Sequence, residues 1–108
     1  MAHATGLTEA TFDEVIGESD RPVLVEFGAE WCPPCKVLAP VLESLVAEHA
    51  DRLVLYAVDS DEHPELTARF SVSSVPTTLV FKDGALVKRM VGARGKRQLL
   101  EELSDVLR

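Results

Sequence analysis

The stretch RPVLVEFGA at 21–29 is apolar almost throughout, broken inside only by Glu26. A half-exposed strand alternates apolar and polar residues, whereas a run apolar at consecutive positions belongs to a strand covered on both faces. A strand at about 22–28 therefore demands a sheet with helices above and below it. RLVLYAV at 52–58 supplies a second core strand. Thr8 to Ile16 predicts a short amphipathic helix with Phe12, Val15 and Ile16 on one side. After Cys35, the residues Val37, Leu38, Val41, Leu42, Leu45 and Val46 recur at i, i+4 spacing, so a helix with a broad buried face follows. Pro40 lies inside it and should kink it. DSDEHPELTARF reads as a polar turn leading into a short helix at about 64–70. TTLVFK at 77–82, Asp83-Gly84 and ALVKRMV at 85–91 form a hairpin signature. A last helix is expected from about Gly95 or Lys96 to Leu107. The order is α, β, α, β, α, β, β, α. Strands joined through helices should pair in parallel, and the closing hairpin must be antiparallel. The expected class is α/β, with a central mixed sheet flanked by helices on both faces.

The 108 residues, 46% of them hydrophobic, suit one domain spanning 1–108 with one core. Two cysteines three apart close too small a loop to staple a fold, so ordinary apolar burial must carry it. The net charge is −7 and uneven: residues 1–81 hold 14 acidic and 4 basic side chains, and residues 82–97 hold 6 basic and 1 acidic. An acidic whole argues against nucleic-acid binding, and the basic segment reads as a solvated, charged sheet edge. No apolar stretch approaches the ~20 residues of a membrane span. The first basic residue is Arg21, so no charged segment precedes an apolar run as in an export signal. The chain reads as cytoplasmic, without a membrane partner, and MAHATG receives no role.

EWCPPCK at 30–36 holds both cysteines. Three uses compete. Zinc needs about four ligands, and beyond Cys32 and Cys35 the chain offers only the scattered His3, His49 and His63, without paired spacing. An inert buried pair is the second. The third is redox chemistry. If the helix begins after Trp31-Cys32, Cys32 falls at its N-cap and Cys35 at the third helical position. The sulfurs then share a face, close enough to bridge. The helix N-terminus favours a Cys32 thiolate, the attacking species in disulfide exchange. Cys35, one turn inside, should be more buried and serve as the resolving thiol, with Cys32 the exposed nucleophile.

Three stretches together resemble the thioredoxin family: VLVEFGAEWCPPCK, SVSSVPTTLVFKDG and VGA at 91–93, in family order and spacing. The resemblance covers about residues 7 to 107. It implies the thioredoxin fold, with four to five strands, and a disulfide reductase with Cys32 as nucleophile and Cys35 as resolving thiol. It implies that Pro76 follows a cis peptide bond from Val75, placing the Val75 backbone beside Cys32 for a substrate strand to pair with. Trp31, Pro33, Pro34, Val75, Pro76, Gly92 and Ala93 would form the substrate-binding surface. Trp31 would be a partly exposed platform, and Gly92 would permit close approach of a substrate chain. Partners would be disulfide-containing proteins and an NADPH-dependent thioredoxin reductase. The chain would act as a monomer with no bound cofactor or metal beyond its redox-active Cys32–Cys35 disulfide.

Four positions depart from the family pattern. Glu26 replaces aspartate; among apolar neighbours its carboxyl should be desolvated and its pKa raised, and the family role is proton relay to Cys35. Ala57 replaces a lysine near that acid, and Gly28 replaces an aromatic. Pro33 replaces glycine, removing an N–H from the first helical turn. Pro33 leaves the direction of electron flow open. An oxidase or isomerase-like protein, or a binding module without turnover, remains the alternative.

Overall fold

A computed structural model describes residues 4–108, so His3 lies outside the described residues. The elements run β1 (Thr5–Gly6), α1 (Phe12–Glu18), β2 (Val23–Gly28), α2 (Pro33–Glu48), β3 (Val54–Asp59), α3 (Pro64–Arg69), β4 (Thr77–Lys82), β5 (Ala85–Val91) and α4 (Lys96–Glu102). They form one mixed five-stranded sheet in the order β1-β3-β2-β4-β5. The class is α/β.

The apolar run occupies the centre. Every residue of β2 is buried, and its side chains divide between two cores by their alternation. Val23, Val25 and Phe27 face Phe12 and Ile16 of α1, Leu66 of α3, and Leu79 and Phe81 of β4. Leu24 faces the opposite way, onto Leu38, Leu42 and Leu45 of α2 and Leu99 of α4. Helices thus cover both faces, as a run apolar at nearly every position requires.

Pairing departs from expectation at one strand. β2 and β3 are parallel, from Val23 opposite Val54 to Gly28 opposite Asp59. β4 also follows a helix, yet it pairs antiparallel with β2, with Glu26 opposite Thr78. The reason is that β3 finishes at the Gly28 end of β2, opposite Asp59, and β4 begins at that same end, with Thr77 opposite Phe27. A parallel β4 would have needed a full crossover.

Further differences lie at element ends. α1 starts at Phe12, not Thr8, because residues 8–11 close a turn of their own: the Phe12 N–H donates to the Thr8 carbonyl at 3.0 Å. The Thr11 hydroxyl that could cap the helix instead accepts from the Thr8 N–H at 3.0 Å. α4 ends at Glu102, short of Leu107. Beyond it, Ser104 donates to Glu101 and Val106 to Leu103, the tighter three-residue pattern of a closing helix. Leu103 and Val106 still point inward. Thr5–Gly6, given no role above, adds a parallel edge strand to β3. Val37 belongs to the periodic series but is 65% exposed, on the rim near the cysteines.

The β4–β5 turn behaves as its sequence directs. Asp83 has φ 53° and Gly84 φ 81°, both in the left-handed region that a two-residue hairpin favours. A Cβ at Gly84 would meet nothing within 4 Å. The cost of Gly84→Ala is therefore conformational only, about 1 kcal/mol. Urea unfolding should show that loss with an unchanged denaturant slope.

Candidate active site

β2 delivers the chain to the site. After Gly28 it turns through Ala29–Trp31, closed by the Cys32 N–H donating to the Ala29 carbonyl at 3.2 Å. Cys32 is the N-cap of α2, with extended backbone (φ −96°, ψ 103°). Pro33 and Pro34 take the first two helical positions, where their missing N–H groups lack helical partners. Cys35 takes the third, and its N–H donates to the Cys32 sulfur at 3.2 Å. That sulfur fills the role of a serine or aspartate cap. The two cysteines are joined in a disulfide, with Cα atoms 5.3 Å apart.

The expected contrast in exposure between the cysteines is not present. Cys32 is 2% exposed and Cys35 1%. Both pack with Ala29, and Val75 closes over them. The covering comes from the loop before β4, which brings the Val75 carbonyl oxygen to 3.8 Å from the Cys32 sulfur. In the disulfide that sulfur carries no proton, so the contact is packing; in the dithiol the same direction is open to an S–H donor. What distinguishes the two sulfurs is the donor: among the described residues one backbone N–H faces Cys32 and none faces Cys35.

The Val75–Pro76 peptide bond is cis. The Thr77 hydroxyl donates to the Ser74 carbonyl at 2.7 Å, tying the loop to the start of β4. The Gly92 N–H donates to the Pro76 carbonyl at 2.8 Å, which brings the segment after β5 to the same place. Gly92 has φ 93°, so the backbone conformation itself favours glycine there, although a Cβ would meet nothing within 4 Å. Trp31 is 67% exposed, and Pro33, Pro34 and Ala93 are exposed also. Trp31, Pro33 and Pro34 flank Cys32 in the chain, and the Gly92 contact on Pro76 joins a segment sixty positions beyond Cys32 to the loop that covers it.

Trp31 is not free. Its indole N–H donates to the Asp61 carboxylate at 2.7 Å. Asp61 is presented by Asp59, whose carboxylate accepts the N–H groups of Asp61 and Glu62 at 2.9 and 3.1 Å. Sequence reasoning missed Asp61; DSDE reads only as a polar turn, and nothing in it points to a tryptophan thirty residues away.

Glu26 is 1% exposed. It shares the sheet face of Leu24, the face that α2 covers, with Ala57 and Thr78 opposite it on the two neighbouring strands. One carboxyl oxygen has no hydrogen-bond partner. Desolvation dominates, assisted by the charge of Glu43, and pushes the Glu26 carboxyl up to about 7. Ala57 brings no cation to offset this. Gly28 is buried and its carbonyl accepts the Ser60 N–H at 2.9 Å. Among the described residues no group of three or more histidine, cysteine or acidic side chains is placed to hold a metal ion.

The sequence model described as Thioredoxin matches residues 3–105. A thioredoxin of Mycobacterium bovis is 50% identical over 101 residues, covering 94% of this chain and 87% of that protein. A thioredoxin of Alicyclobacillus acidocaldarius is 46% identical, covering 94% and 95%. A protein of Mycobacterium leprae named bifunctional thioredoxin reductase/thioredoxin is 46% identical over 94% of this chain, which corresponds to 22% of its own length.

Proposed function

The chain belongs to the thioredoxin family, and from that premise we propose how its site works. It is a thiol–disulfide oxidoreductase that reduces protein disulfides through the Cys32/Cys35 pair. The carrying observation is that pair, bridged at the start of α2, with a backbone donor aimed at the Cys32 sulfur.

In the reduced protein the Cys32 thiolate attacks one sulfur of a substrate disulfide. The substrate's other sulfur leaves and takes up a proton, and a mixed disulfide remains on Cys32. The Cys35 thiol loses its proton and attacks the Cys32 sulfur, expelling the second substrate thiol. Two electrons pass to the substrate, its two thiolates take up protons from solvent, and the Cys32–Cys35 disulfide forms. Glu26 receives the Cys35 proton: a carboxyl with a pKa about 7 can both take and return one near neutral pH. Val75 offers its backbone to the substrate strand, and Pro76, through the cis bond, holds it in place. Trp31, Pro33, Pro34, Gly92 and Ala93 form the surface around it.

Pro33 and Pro34 favour the reductase direction over the oxidase alternative. They leave the thiolate a single near donor, so the reduced form gains little stabilisation. A strong oxidant needs the opposite, a reduced form held stable. Equilibration with glutathione should therefore leave the protein mainly oxidised and the glutathione reduced.

The protein acts as one domain over 1–108, in the cytoplasm and as a monomer, with no nucleic acid or membrane partner, no metal and no bound cofactor. No described helix is long and apolar enough to cross a membrane. The family works with disulfide substrates and a thioredoxin reductase, and an NADPH-dependent reductase regenerates this dithiol. The relative that joins both activities in its name supports that partner. With insulin, NADPH and a thioredoxin reductase, NADPH consumption should follow protein concentration. Absence of turnover with both thiols demonstrably free would refute the reading.

A further inference from the structure

Beside the disulfide runs a groove of about 210 Å³, lined by Trp31, Asp61, Ser73, Ser74 and Val75 among others. It is continuous with the reactive centre, because the Val75 carbonyl lies 3.8 Å from the Cys32 sulfur. Asp61 is the one charged side chain in its lining. Its carboxylate accepts the Trp31 indole N–H, but no cation pairs with it among the described residues. Glu30 and Glu62, next in sequence to Trp31 and Asp61, are exposed and add the same sign. The Ser60 hydroxyl, also in the lining, is enclosed and has no partner.

We propose that Asp61 sets substrate preference: the groove receives the chain beside the attacked cysteine and favours lysine or arginine there. This rests on the oxidoreductase reading above. A substrate strand lying along Val75 passes Trp31, so its side chains reach the Asp61 rim. A cation there meets an unneutralised carboxylate, and a glutamate is repelled by it.

The test uses two symmetric disulfide-linked peptides, identical except for lysine or glutamate on both sides of the cysteine. Their kcat/KM values are compared at low ionic strength. Asp61→Asn removes the charge and keeps an oxygen for the Trp31 N–H. Glu18→Gln, at an exposed residue of α1 outside the groove's lining, removes the same net charge. The lysine-to-glutamate preference should fall about fivefold in Asp61→Asn, hold in Glu18→Gln, and shrink with added salt. An unchanged preference in Asp61→Asn overturns the proposal. So does an equal loss on both peptides, which would assign Asp61 only to holding Trp31. Failure of the native protein on both peptides would instead remove the oxidoreductase reading beneath it.

Discussion

Cys32→Ser should lower insulin reduction to the uncatalysed background, and Cys35→Ser should stop the same reaction one step later. The two cysteines are almost equally buried, so exposure does not separate their roles. Helix position does. Cys32 is the N-cap, at the positive end of the α2 dipole, and its sulfur accepts the Cys35 N–H. Both effects lower the free energy of a thiolate at Cys32. The Cys35 sulfur sits a turn deeper without such a donor. With Cys35→Ser, Cys32 still attacks and the substrate accumulates as a stable mixed disulfide, visible as a mass increase that dithiothreitol reverses. With Cys32→Ser no adduct forms at a comparable rate. Stability is not the confounding factor, because a bridge across so short a loop constrains the unfolded chain little. Adduct formation through Cys35 in Cys32→Ser, as fast as through Cys32 in the other variant, would reverse the assignment.

Much of this arrangement can be read from the residues because each part has a local cause. The run that is apolar at every position but Glu26 reads as a strand covered on both sides, and β2 is that strand. Asp83-Gly84 forces a tight hairpin wherever the strands lie. The cysteine spacing needs only the helix start to bring the sulfurs together. What could not be read depends on distant packing. The antiparallel placement of β4 follows from how the chain returns after α3, which no periodicity records. The closing of Val75 over Cys32 is a contact across forty-three positions, so an N-cap that looks open in sequence is covered in the fold. Asp61 is a similar case. Val37 errs in the other direction: it keeps the helical period of its neighbours, yet its side chain is exposed.

Glu26→Gln should stabilise the oxidised protein in a way that appears only as pH rises. In the unfolded chain Glu26 ionises near its ordinary value of 4.5; in the fold, desolvation holds it protonated up to about 7. Below pH 4.5 both states bear the proton, and Glu26 imposes no charge penalty. Between 4.5 and 7 the folded state binds a proton that the unfolded state has lost, so stability falls as pH increases. Above 7 the full cost remains, about 3 kcal/mol. Glutamine cannot ionise and escapes this slope. Whatever offset the amide brings through new or missing hydrogen bonds is the same at every pH. The difference between variant and native protein in guanidinium unfolding should therefore widen by about 3 kcal/mol between pH 4 and pH 8. Parallel stability profiles over that range would mean that Glu26 ionises normally in the fold. Such a carboxylate would hold no proton near pH 7 to return to Cys35, and the relay would fail with it. If the profiles diverge as expected, the retention of an acid this costly at the sheet's centre has a ready cause. A carboxyl paired with a cation would be cheaper to bury but locked in its ionised form, whereas Ala57 leaves Glu26 free to change protonation at the pH where the cysteines work.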